Sequence, residues 1–161
     1  SIIYLRAQAE AGAETLQIFD SWAGDLSGHL FDDLSIAPMQ RITAALRQSH
    51  PHVPVIAFAR GAGARHIRVA EGVGCAAIGI EQETDIDQLL PALPPGIVVQ
   101  GNLDPVVLLC EAETIERETR RTAAAVPRHR HIFNLGHGIK QQTPPEALAK
   151  VVAAVRQVDG G

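Results

Sequence analysis

Apolar positions along this chain follow two periods that take turns. Ile2, Ile3, Leu5, Ala9 and Gly12 fall near one helical face, so a helix is predicted over 1–12, with Gly12 as its stop. Residues 14–19 alternate and then run apolar (Thr15, Leu16, Gln17, Ile18, Phe19), as a strand does, and 20–24 form its loop. From 31 to 49 the spacing of Leu34, Met39, Ile42, Ala45 and Leu46 is helical, with Pro38 placed to break it in two. The same succession then repeats. Strands are predicted over 53–59, 75–80, 97–100 and 131–135, followed by loops over 60–63, 81–84 and 101–105 and a glycine-flanked turn after Leu135. Helices are predicted over 64–72, 85–93, 106–126 and 144–158, the last with Thr143 as N-cap and Pro144 at its first position.

Strand, loop and helix in regular alternation specify an α/β fold, a parallel sheet with helical crossovers. No linker or low-complexity run divides the chain, so 1–161 reads as a single domain or part of one. The pattern alone leaves two architectures open: a run of β/α barrel units, or a small doubly wound sheet. The chain is 46% hydrophobic and 20% charged with few aromatics, ordinary for such a fold. No apolar run approaches the ~18 residues of a membrane span, and no signal-peptide pattern opens the chain. Cys75 and Cys110 show no Cys-x-x-Cys and no histidine at metal spacing, which predicts reduced cysteines in a cytoplasmic protein. A net charge of −4 argues against nucleic acid as the main partner. The chain opens at Ser1, without Met and in what reads as mid-helix, as a fragment would.

Candidate chemistry gathers in the loops that follow strands, where α/β folds bind ligands. His137 lies just past the fifth strand between Gly136 and Gly138, which would leave no side chain between the imidazole and a ligand. Ser21 follows the first strand; on pattern alone it is a turn or capping residue and Phe19 a core residue. Arg60-Gly61-Ala62-Gly63-Ala64-Arg65-His66 follows the second strand and opens a helix. It is a weak dinucleotide fingerprint, with His66 where the third glycine belongs, but a reasonable anion site built from backbone N–H groups and Arg60. Asn102 and Asp104 can hold a turn through side-chain-to-backbone bonds. Arg117, Arg120 and Arg121, among acids, read as the solvated face of a helix, and the histidines other than His137 show no ligand pattern.

The run Phe133-Asn134-Leu135-Gly136-His137-Gly138-Ile139, with Thr143-Pro144-Pro145-Glu146 after it, resembles the C-terminal signature of the uroporphyrinogen decarboxylase family. Phe19-Asp20-Ser21-Trp22-Ala23-Gly24 and Gln100-Gly101-Asn102-Leu103-Asp104-Pro105 resemble two further segments of that family, in the right order. Where the family often has Asp-Trp, this chain has Glu81-Gln82, and 81–84 is assigned no role. The resemblance covers nearly the whole chain and the C-terminal half of the family's enzymes. It implies five units of a (β/α)8 barrel. It also implies a cytoplasmic carboxy-lyase of porphyrin and haem biosynthesis, a homodimer when intact. That enzyme removes the four acetate carboxylates of uroporphyrinogen III as CO2 and needs no cofactor or metal. Carried over residue by residue, Ser21 and His137 bind substrate carboxylates, Phe19 lines the pocket, and Arg60 is a possible anion contact. The family's central Asp, its carboxylate-binding Arg residues and a pocket Tyr lie before the matched region. The resemblance therefore implies that this chain alone is inactive and contains no assured catalytic residue.

Two other functions fit parts of the pattern. A doubly wound, non-enzymatic module would bind an anion at the Arg60 loop and would need a strand order that reverses. A methyltransferase relative of the same fold would hold zinc through a His-x-Cys pair, and neither cysteine follows a histidine by two. On the barrel reading, Ser21 and His137 lie at the same end of the sheet, with Arg60 and Asn102 nearby.

Overall fold

Five short apolar runs become five parallel strands: β1 (Leu16–Asp20), β2 (Val55–Ala59), β3 (Ala77–Gly79), β4 (Val98–Leu103) and β5 (His131–Leu135). They are seen in a computed structural model that describes residues 1–159. The strand order is β1-β2-β3-β4-β5, each strand paired in parallel with the next in sequence. Nowhere does the order reverse, so the switch point that a doubly wound sheet requires is missing. The fold is α/β, with five consecutive β/α units in the arrangement of a (β/α)8 barrel, of which they make up five strands.

The connecting helices are α1 (Ile2–Glu10), α2 (Gly28–Phe31), α3 (Ala37–Ser49), α4 (His66–Gly72), α5 (Ile86–Leu89), α6 (Ala112–Ala124) and α7 (Pro145–Asp159). Pro38 does not break the second helical stretch. From Gly28 to Ser49 it runs on through a π-helical turn at Asp32–Ile36, with Pro38 second in α3. A proline lacks one helix N–H and its ring crowds the carbonyl four residues back; the wider turn relieves that crowding. Two ends also shift. Helix α7 starts at Pro145, and Thr143 is no cap, since its Oγ1 is buried without a partner among the described residues. Strand β4 runs on through Gly101, Asn102 and Leu103, which pair with Phe133, Asn134 and Leu135 of β5. Turn-forming residues predicted a loop there, and cross-strand pairing overrides them.

Period-2 alternation gives each strand one residue for each face. Ala57, Ile78 and Val99 point to the convex face and are fully buried, packed with Met39 of α3, Val69 of α4, Val73 just after it, and Leu89 of α5. Leu103, Leu108 and Ile115 form a second core with Ala147 and Val151 of α7. The concave face carries the row Phe19, Phe58, Gly79, Gln100, Ile132, in register across all five strands. Gln100 Nε2 of β4 donates to Gln17 Oε1 of β1 at 3.4 Å. Three strand spacings on a flat sheet would separate these strands by roughly 14 Å, so the bond records strong coiling. Among the described residues no helix is long and apolar enough to cross a membrane.

Candidate substrate-binding cleft

Parallel strands bring their C-terminal ends together, and with them the five loops. After β1, Asp20 Oδ1 accepts the Trp22 N–H at 3.1 Å and so turns the backbone at Ser21. The next loop is tied on directly: Arg60 N–H donates to Asp20 O at 2.9 Å, and Gly24 N–H to Arg60 O at 2.8 Å. A Cβ on Gly24 would lie 2.9 Å from Gly61 Cα, so the two loops touch backbone to backbone. The loop after β5 packs just as closely on the loop after β3, for a Cβ on Gly136 would lie 2.2 Å from Gln82 N.

These loops and the concave face bound a cleft of about 520 Å³, lined by Phe19, Ser21, Arg60 and His137 together with Gln17 and Gln100. A second hollow of about 590 Å³ adjoins it and shares Ser21, Arg60 and His137. Phe19, 65% exposed, meets Phe58 edge to face at 5.8 Å and makes an aromatic wall. The pattern-only reading of Phe19 as core is thereby corrected. Arg60 and His137 have no acidic partner among the described residues. A hydroxyl, a guanidinium and an imidazole thus face one space beside an apolar wall. That set can donate hydrogen bonds to several carboxylates while a flat ring lies on the phenyl groups.

Asn102 faces elsewhere. Its Nδ2 donates to Glu81 O at 3.1 Å and Thr84 O at 2.8 Å, bracing the loop after β3 rather than its own turn. Asp104 does hold its own turn, accepting Val106 N–H at 2.9 Å. Of the glycines beside His137, only Gly138 stands in open space; Gly136 is needed for the approach of Gln82.

Sequence reasoning missed the group beneath the cleft. His66 is fully buried, and its Nε2 lies 3.0 Å from Glu81 Oε2. Glu81 Oε1 accepts the Thr84 hydroxyl at 2.9 Å and the Gly63 N–H at 3.4 Å. Burial pushes the Glu81 carboxyl up, but the bonds from His66 and Thr84 outweigh it and hold the group at about 2. One N–H of the glycine loop, that of Gly63, thus points at the chain's own Glu81 carboxylate. The signal available was His66 in the place of a third glycine, paired with an acid after the next strand. The arginines of α6 behave as predicted, in exposed pairs Arg117–Glu118, Arg121–Glu118 and Arg120–Glu116. Cys75 is buried and Cys110 exposed. Among the described residues no three His, Cys, Asp or Glu side chains gather as a metal site would require.

The family model for uroporphyrinogen decarboxylase matches residues 1–158. The uroporphyrinogen decarboxylase of Paracoccus denitrificans is 45% identical over 156 residues, covering 97% of this chain and 46% of that protein. That of Novosphingobium aromaticivorans is 46% identical over 155 residues, covering 94% and 46%. The chain thus spans about half the length of the curated relatives it matches. Among solved structures, a candidate vitamin-B12-independent methionine synthase from Listeria monocytogenes aligns with a TM-score of 0.64 at 15% identity, covering 99% of this chain and 52% of that one. At that identity the likeness is one of fold.

Proposed function

This chain belongs to the uroporphyrinogen decarboxylase family, and we propose that it supplies the Ser/His side of that enzyme's substrate site. The substrate is uroporphyrinogen III, and the overall reaction removes its four acetate carboxylates as CO2 to leave methyl groups. One observation carries this reading: Phe19 and Ser21 at the end of β1, Arg60 after β2 and His137 after β5 line one cleft. In it the Ser21 hydroxyl donates to a carboxylate, the His137 ring adds an N–H donor, and Arg60 takes a further carboxylate in fork geometry. Phe19 and Phe58 carry the face of the tetrapyrrole.

Protonating a pyrrole at the carbon that bears the acetate makes the ring its own electron sink, so the reaction needs no cofactor in principle. The proton donor and the carboxylate that holds the pyrrole N–H groups come from the part of the barrel this sequence does not match. Residues 1–161 act as the C-terminal portion of one barrel domain, inactive alone, in a cytoplasmic enzyme that is a homodimer when intact. In a protein joined to the N-terminal half of a relative, His137→Asn should cut decarboxylation while leaving the thermal melt unchanged. Full activity in that variant would remove His137 from the site, and zinc bound in stoichiometric amount would favour the methyltransferase relative instead.

A further inference from the structure

The loops that present Ser21 and Arg60 are joined by a side chain the cleft does not use. Arg65 Nη1 donates to Leu26 O at 2.6 Å, and Nη2 to Gly24 O at 3.2 Å and Gly61 O at 3.4 Å. Its Nε donates to Ala62 O at 3.2 Å, and its guanidinium lies over the Phe31 ring, 4.4 Å from the centroid. No carboxylate pairs with it among the described residues. One cation is spread over four carbonyls, two from each loop, at the place where Gly24 and Gly61 touch. Converging carbonyls repel one another and lose water when packed together; a planar fork of N–H donors answers both costs at once. A lysine keeps the charge but presents a single nitrogen, which cannot span both loops.

We propose that Arg65 is a positioning residue for the cleft: it locks the Ser21 loop onto the Arg60 loop so that hydroxyl and guanidinium converge on one carboxylate-bearing ligand. The proposal rests on the cleft reading given above. Phe31 completes the clamp, holding the guanidinium plane from the helix side through a cation–π contact. The carbonyls of Gly24 and Leu26 are fixed three and five residues beyond Ser21, and those of Gly61 and Ala62 one and two beyond Arg60. Each side chain of the site is therefore pinned on its downstream flank, while the strand pins the upstream one.

The test uses residues 1–161 joined to the N-terminal half of a relative, as above, with uroporphyrin, the oxidised octacarboxylate macrocycle, as the probe. Two quantities are read: amide exchange at Gly24, whose N–H bonds Arg60 O, and uroporphyrin affinity by fluorescence. In Arg65→Lys, Gly24 exchange should rise by about 10-fold or more and affinity should fall by about 10-fold. The Ile78 and Val99 amides should keep their protection. In Arg65→Ala, free guanidinium at non-denaturing concentration should restore both. Unchanged Gly24 exchange in Arg65→Lys overturns the clamp whether or not the porphyrin binds. Faster Gly24 exchange with unaltered affinity reduces Arg65 to a structural tie and overturns the positioning role. A joined protein with wild-type residues 1–161 that binds no uroporphyrin removes the cleft reading, and the proposal with it. If Arg65→Lys loses core protection as well, Arg65→Gln, which keeps two N–H donors, is judged on the same two measurements.

Discussion

Val99 and Gln100 are adjacent in β4, yet Val99 is fully buried against the helices while Gln100 lines an open cleft. The same holds for Ile78 against Gly79, and for Ala57 against Phe58. On the convex side, small and branched side chains meet the helices with little exposed surface. On the concave side the residues are larger and more polar, among them Phe19, Phe58, Gln17, Gln100 and Asn134, and among the described residues nothing covers them. Two faces of one sheet, set by alternate residues of the same strands, thus differ in kind: the convex face gives the chain its core, and the concave face lines an open cleft.

The largest expected contrast lies between those faces. Ile78→Ala on the convex side should cost about 2–5 kcal/mol, because it opens a cavity in a packed core. Phe19→Ala on the concave side should shift stability by no more than ~0.5 kcal/mol, as an exposed position does, and weaken uroporphyrin binding. Urea melts of the two variants check this. A Phe19 variant as unstable as the Ile78 one would mean that the concave face is a second core.

Next in size is Glu81, a charged group placed on the closed side. Its carboxyl is held near 2, against an ordinary value of 4.5. A folded-state value below the unfolded one means stability that is fully present above 4.5 and is lost as pH falls through about 2. At 1.36 kcal/mol per pH unit the window is worth about 3 kcal/mol. Melts at stepped pH should show wild-type stability falling across this window, and Glu81→Gln should start lower and fall less. Parallel curves for the two proteins would sever the link between Glu81 and His66.

Much of this contrast was readable from sequence, and the unread part has a common cause. Alternation in 14–19 marks a strand, and it also puts Gln17 with Phe19 on one face and Leu16 with Ile18 on the other. The placement of Ser21 and His137 at one end of the sheet was legible because each directly follows a run that reads as a strand. Glu81 with His66, and Arg65 with Gly24 and Leu26, were not. Those partners lie 15 to 41 residues apart and meet only once β1, β2 and β3 pair in sequence. The glycine loop shows how a correct local reading goes astray. Its N–H group does point at an anion, but the sheet brings Glu81 to it, so no external ligand is required. At Gly101 the error was of the opposite kind, since turn-forming residues were held in strand by pairing with β5.

The smallest contrast concerns the two glycines beside His137. Both glycines line the cleft, but an added Cβ on Gly136 would fall 2.2 Å from the Gln82 backbone nitrogen, while a Cβ on Gly138 would meet nothing within 4 Å. Backbone cannot yield as a flexible side chain can, so Gly136→Ala must part the loops that follow β5 and β3. Overpacking of this kind costs about 1–3 kcal/mol. It should also loosen the Asn102 bonds to Glu81 O and Thr84 O, which hold the same loop. Gly138→Ala should leave the melt within ~0.5 kcal/mol of wild type. Its added methyl lines the cleft beside the imidazole, so any loss should appear in uroporphyrin affinity alone. Thermal melts and porphyrin titrations of the two variants therefore separate the roles that one histidine's neighbours play. Equal melting temperatures would mean that Gly136 is as free of close contact as Gly138, and unequal affinities with equal melts would give both glycines to the ligand.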